Sequence, residues 1–260
     1  MRNIASSLMV LLVAVLCAQP MSAMEISAEE ASLYQQAGAE QDPAKKVALI
    51  ESYIQKFPEG KWRTELVYSA ALACDQLKQP DKVISFGEEV LKADPSNINI
   101  LLILANTYSA RPDGKDKSLA YSARCVAAID KKALDPPPAD VPEDQYKAEL
   151  DKLKKSAQFT HDYVAGWRAM ELKDYAAAEQ PLKSAYSIKR NAKLALWLGV
   201  AYEKNGKIDD AISTLAEALV LLNGAQKDQV QKKLEQLYQQ KHGSLDGLQK
   251  IIDDARGRIG

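Results

Sequence analysis

The sequence predicts an all-α fold of stacked antiparallel helix pairs, and three observations carry that prediction. Ala, Leu, Lys, Glu and Gln dominate the stretches between the prolines, and all five are good helix formers. No stretch alternates apolar and polar residues as a half-buried strand does. A set of small and apolar positions also recurs at a step of 33 residues: Gly166, Tyr175, Ala178, Leu182 and Ala185 precede Gly199, Ile208, Ala211, Leu215 and Ala218. Gly199, Ala211 and Ala218 are small where two helices approach most closely, and Leu198, Tyr202, Leu215 and Leu219 fill the space around them. Gly206 falls in the turn between the two helices, where a left-handed residue costs little if it is glycine.

The elements follow in chain order. Arg2 is the only charge before Glu25, Leu8 to Ala18 is an uninterrupted apolar run, and Pro20-Met21-Ser22-Ala23 offers a cleavage site after Ala23. This is the order of a secretory signal, in a run too short to span a bilayer comfortably. Residues 1–23 are therefore expected to be a signal peptide, leaving a periplasmic or secreted chain with no stable membrane insertion. Met21 is a mediocre residue three places before the cut. A lipidated Cys17 would need a small residue where Leu16 stands, and an uncleaved anchor is the other alternative.

Ser27 and Glu30 have the spacing of a capping box that starts a first helix, and Ala48 to Pro58 reads as its partner helix. A second unit runs from Thr64 to Asn97, closing on Asp94-Pro95-Ser96-Asn97, with Ala71, Ile84 and Leu91 at its packing positions. A third follows from Ile98 to about Lys132 with Leu104, Ala105 and Tyr108, and its turn at Arg111-Pro112-Asp113-Gly114 holds one extra residue. Its second helix sets Leu119, Tyr121 and Cys125 under Ile84, Phe86 and Val90. The run from Asp135 to Pro142 cannot be helical, because proline lacks the backbone donor and its ring clashes with the preceding turn. Pro142 suits a first helical turn. The helix that follows, expected to reach about Leu172, carries Tyr146, Leu150 and Leu153 on one stripe. After the unit at Ala192 to Ala225, the tail reads as two helices split at His242-Gly243, an atypical end that covers the last apolar face. The expected organisation is thus three repeats in 24–132, a proline-rich linker in 133–142, a long helix and two repeats in 143–225, and capping helices in 226–260.

The unit Ala192–Ala225 resembles the tetratricopeptide repeat, a 34-residue helix–turn–helix. That repeat has Leu-Gly at positions 7 and 8, Tyr at 11, Gly at 15 and Ala at 20 and 27. The chain supplies Leu198, Gly199, Tyr202, Gly206, Ala211 and Ala218 there, while Asn223 replaces the closing proline and Ala195 the early tryptophan. The resemblance covers most of Ser27 to Ala225 and is to the bacterial exported type. It implies a solenoid that binds a protein or peptide on a concave face, at positions 2, 5, 9, 12 and 13 of each first helix. On this chain those positions hold Tyr68 and Leu72; Leu102 and Asn106; Tyr163, Trp167 and Met170; and Lys193, Leu196, Val200 and Lys204. Tyr163, Trp167 and Met170 share one helix face and are suited to anchoring a partner, unless the long helix or the tail packs over them as core. The lysine and asparagine clamp of some family members is incomplete, since only Asn106 stands at a suitable position.

The net charge of −1 and the fine interleaving of opposite charges argue against nucleic acid as the partner. After signal removal two cysteines remain, Cys74 and Cys125, read either as one disulfide or as two small buried residues on different helices. His161 and His242 have no second ligand at metal spacing and read as a helix-surface and a helix-end residue. No phosphate loop, nucleophile elbow or selected carboxylate pair is present, so neither an enzyme nor a cofactor is expected. The leading expectation is an exported scaffold or adaptor. The alternative is a fixed structural subunit of a cell-envelope assembly or export machine.

Overall fold

The structure is a computed structural model describing residues 26–259, so the expected signal peptide lies outside the described residues. Those residues form helices α1 (Ala28–Ala39), α2 (Pro43–Lys56), α3 (Arg63–Gln76), α4 (Pro80–Ala93), α5 (Ile98–Ser109), α6 (Lys115–Lys132), α7 (Glu143–Glu171), α8 (Tyr175–Ile188), α9 (Ala192–Lys204), α10 (Ile208–Leu221), α11 (Ala225–His242) and α12 (Leu248–Ile259). No strand occurs among them. Short polar side chains start several helices by satisfying first-turn amides: Asp42 accepts from Ala44 and Lys45, Asn97 from Ile100, Asp174 from Ala177 and Asn191 from Leu194. Pro43 and Pro80 begin α2 and α4, where no helical donor is lost. Gly243, at φ +78°, ends α11 in the left-handed conformation.

From α1 to α11 each helix packs against the next, and α12 returns to cover α10. The first helices of successive pairs also touch, α3 with α5, α5 with α7 and α7 with α9, whereas no comparable packing joins α4, α6, α8 and α10. A stack whose first helices crowd together and whose second helices spread apart curves toward the first helices. The row α3, α5, α7 and α9 is therefore the concave side of an all-α solenoid of helical hairpins.

The curvature is held by steric fits. A Cβ on Gly166 would lie 2.6 Å from Leu182 Cδ2, and one on Gly199 would lie 2.8 Å from Leu215 Cγ, so α7–α8 and α9–α10 approach through a glycine opposite a leucine. The longest helix, α7, belongs to two apolar clusters. Leu150 and Ala157 pack with residues of α3 to α6, while Ala169 packs with residues of α8 to α12. The hairpins thus form one continuous stack past the non-helical segment 133–142, where Tyr146 Oη of α7 donates to the Lys132 carbonyl at the end of α6 (3.1 Å).

One local expectation needs correction. Only half of the capping box at α1 forms: Ser27 Oγ accepts from the Glu30 amide (3.0 Å), but the Glu30 carboxylate turns inward. It takes hydrogen bonds from Tyr53 Oη (2.6 Å) and the Lys61 amide (2.8 Å), because the buried phenol needs an acceptor more than the solvated helix start needs a second cap. Pro181 lies inside α8.

Three hairpin turns share one geometry. The Gln79, Asp174 and Lys207 amides donate back to the Cys74, Ala169 and Tyr202 carbonyls, with Lys78, Lys173 and Gly206 in the left-handed conformation at φ 54°, 57° and 75°. Only one of the three is glycine. Replacing Lys78 or Lys173 by glycine is expected to raise stability by about 0.5–1 kcal/mol each, since relief of left-handed strain exceeds the added freedom of the unfolded chain. Urea unfolding midpoints check this, and a lower midpoint for both variants refutes it.

Cys74 and Cys125 are free and fully buried in different apolar clusters, which removes the disulfide alternative from this structure. Burial pushes the Cys125 thiol up to about 11 and raises the Cys74 thiol as well. A folded-state value above the unfolded one stabilises fully below about 9, and that contribution is lost as pH rises from there toward 11. Both thiols are expected to resist alkylation at pH 8 by at least a hundredfold relative to the urea-unfolded chain, and rapid labelling of the native chain would contradict their burial.

Candidate functional site

The concave row places the family-implied positions in different settings. Tyr68 is half-buried and its hydroxyl accepts from Asn99 Nδ2 (3.0 Å), linking α3 to α5. Leu72 and Leu102 are half-buried, and Leu102 packs against the core beneath it. Asn106 is exposed, and its Oδ1 accepts from Thr160 Oγ1 (2.7 Å), so its carbonyl end is engaged in joining α5 to α7. Met170 and Leu196 are half-buried against the larger cluster, and Val200 is half-buried one turn beyond Leu196. Lys204 is exposed at the end of α9 beside Glu203, which is itself bridged by Lys233 of α11 (2.6 Å).

Tyr163, Trp167 and Lys193 come together. Tyr163 stacks on Trp197 (centroids 5.8 Å apart) and on Phe159 (6.0 Å), and lies tilted 6.2 Å from Trp167. Such pairs contribute about 0.5–1.5 kcal/mol each beyond their buried area. Lys193 Nζ sits 4.4 Å from the Trp197 centroid, 5.2 Å from that of Tyr163 and 5.6 Å from that of Trp167, and donates to Tyr163 Oη (2.7 Å). Lys115 Nζ lies 4.1 Å over Trp167 from the start of α6, and Lys189 Nζ lies 5.8 Å from the Phe159 ring. The four rings are half-buried, and Phe159, Tyr163 and Trp197 pack against the apolar cluster of α7 to α12.

Phe159, Trp197 and Lys115 were not singled out by repeat position. Trp197 was legible all the same, because it stands four residues after Lys193 on α9 and so on the same face, one turn along. Lys115 opens α6 directly after the turn at Arg111-Pro112-Asp113-Gly114, and no local pattern points to it.

The patch is built of four aromatic rings with the ammonium groups of Lys115, Lys189 and Lys193 beside them. His161 Nδ1 lies 3.0 Å from Asp162 Oδ1, in a groove of about 290 Å³ that Gln158, Ala123 and Val126 complete between α6 and α7. His242 lies tilted against Tyr238 at the end of α11, ring centroids 4.3 Å apart. Glu88 accepts from Tyr108 Oη (2.8 Å), Lys117 Nζ (3.1 Å) and Tyr121 Oη (3.2 Å). Burial pushes its carboxyl upward, but these three donors outweigh that and hold it below the usual carboxylate range. That cluster ties α4 to α5 and α6 and is a structural junction. Among the described residues no three His, Cys, Asp or Glu side chains gather as a metal-holding group, and no helix is long and apolar enough to cross a membrane.

No family model matches the sequence, and no curated protein matches it. Solved structures with a similar course of helices include PilW, a widely conserved type IV pilus biogenesis factor, at 16% identity and a TM-score of 0.42 over 87% of this chain and 99% of that one. TTC0263, a thermophilic TPR protein of Thermus thermophilus, has 15% identity and a TM-score of 0.32 over 80% of this chain and 95% of that one. The Cut9–Hcn1 hetero-tetramer of APC/C has 12% identity and a TM-score of 0.29 over 90% of this chain and 46% of that one.

Proposed function

We propose that this chain is an exported tetratricopeptide-type scaffold or adaptor that binds a protein partner on its concave row of first helices. The observation that supports this is the open aromatic patch of Phe159, Tyr163, Trp167 and Trp197, four half-buried rings on the side toward which the stack curves. Large rings whose faces are only partly covered supply contact area at small entropic cost, and they are enriched where binding energy concentrates. Tyr68, Leu72, Leu102 and Asn106 extend the same surface toward α3, and Leu196 and Lys204 continue it along α9. The apolar run Leu8–Ala18 supports export, with cleavage after Ala23 releasing the chain to the periplasm or medium.

The test uses a photo-reactive amino acid at position 196 on α9, which keeps Lys193 and Trp197 in place, and, as control, at the exposed position 176 on α8. The expected result in living cells is a discrete crosslinked product from position 196 alone, lost when Trp197 is replaced by alanine. The same products from both positions, or none from 196, would refute a concave binding site. Amino-terminal sequencing of the exported chain tests the cut after Ala23, and an intact or lipid-modified terminus would overturn that part of the reading.

A further inference from the structure

We infer that the segment received at the aromatic patch is acidic, with a carboxylate seated on Lys193; this rests on the binding site proposed above. The charges around the patch are uneven. Lys115 is neutralised by Glu171 (3.1 Å), and Arg168 is paired with Asp116. Lys189 and Lys193 are both exposed, and among the described residues neither forms an ion pair with a carboxylate. The patch therefore carries two uncompensated positive charges beside its rings.

Lys193 is also held in place. An ammonium group has three donors and no acceptor. One donor is used on Tyr163 Oη at 2.7 Å, and three rings orient the group by their negative faces, which leaves two donors for an incoming group. A lysine on an open helix surface loses side-chain freedom on pairing, whereas this one has already lost much of it, so an anionic ligand meets a preorganised cation. A basic segment would meet Lys115, Lys189, Lys193 and Arg168 and would have to displace Lys193 from its rings. The charge arrangement selects against it. The terminal-carboxylate clamp of related repeats is not what is assembled, since Asn106 lies on α5 with its Oδ1 taken by Thr160. The surface suits an internal acidic side chain flanked by an apolar one, with the carboxylate on Lys193 and the apolar group against Trp167 and Trp197.

Two of the three tryptophans of the sequence lie in the patch, so intrinsic emission reports on it. The full chain is titrated with an end-blocked Glu-Glu-Phe-Glu-Glu peptide, its Gln-Gln-Phe-Gln-Gln analogue and a Lys-Lys-Phe-Lys-Lys analogue. The expected result is a saturable change in emission with the acidic peptide, at least tenfold tighter than with either analogue and weakened by salt. Lys193→Gln should lose at least tenfold, Lys193→Arg should keep most of the affinity, and Lys250→Gln on α12 should change nothing. Lys193 is exposed, so its variants are expected to fold, and equal melting curves confirm it. Equal affinity for the glutamine analogue, unchanged affinity in Lys193→Gln, or no response to the acidic peptide each overturns the inference. If a neutral or basic peptide is bound through Trp197, or the crosslink from position 196 is still obtained, the binding-site reading survives that failure. Loss of both takes the two down together.

Discussion

Replacing Gly199 by valine is expected to destabilise the protein by about 3 kcal/mol, the upper end of what extra methyl groups cost in a close-packed interior. A Cβ at this position would stand 2.8 Å from Leu215 Cγ and 2.9 Å from Leu215 Cδ2, and Leu215 is itself fully buried with no open side to turn to. The conflict can be relieved only by parting α9 from α10, and that separation is transmitted to the aromatic patch through Trp197 and Lys193 on α9. Gly199→Ala is the more discriminating variant. Helix propensity favours alanine by about 1 kcal/mol, so any net loss isolates the steric conflict. Gly38 on α1 has no heavy atom within 4 Å of a built Cβ, and Gly38→Ala is expected to gain about 0.5–1 kcal/mol. Chemical denaturation of the three variants decides the matter, and a stabilised Gly199→Ala would mean that the two helices are not held at their present separation by this fit.

Glu30→Ala is expected to release the first hairpin by about 2–4 kcal/mol while the rest of the stack stays folded. The substitution removes the acceptor of the Tyr53 hydroxyl and of the Lys61 amide, and leaves a phenol with no solvent exposure short of a partner. Tyr53 already resists ionisation, its hydroxyl pushed up to about 12 by burial and by the hydrogen bond to Glu30. In a linear array each hairpin leans only on its neighbours, so damage at the end is expected to unravel locally. Hydrogen exchange should accelerate in 27–60 and remain slow in α8 to α10; uniform acceleration along the chain would contradict local release.

The helical architecture was legible because its causes are local. Small residues at Gly199, Ala211 and Ala218 opposite bulky ones repeat where two helices must touch, and the proline run at 136–138 forbids helix in whatever context it stands. The turns were only partly legible. Gly206 announces a left-handed residue, but Lys78 and Lys173 take the same conformation under the tertiary demand of closing equivalent hairpins, and lysine carries no such signal. Glu30 misled for a similar reason, since its spacing to Ser27 is that of a cap while its deciding partner, Tyr53, lies on the next helix. The candidate site was half visible. Tyr163 and Trp167 follow from helix periodicity, whereas the seating of Lys193 among three rings and the approach of Lys115 from another hairpin depend on how neighbouring pairs are rotated.

At 29 residues, α7 is a rod on the order of 40 Å long, and its two ends are anchored in separate apolar clusters. A chain of hairpins normally behaves like a string of beads, each junction free to flex and each bead able to melt by itself. Here one rigid beam crosses the middle of the string, so bending there requires either breaking the beam or tearing one anchorage from its cluster. Mechanical load applied to the N-terminal hairpins should pass to the aromatic patch with little loss, and stretching the molecule should give a few large rupture steps in place of many small equal ones. A stack built this way holds its two halves at a fixed separation and so acts as a gauge of distance.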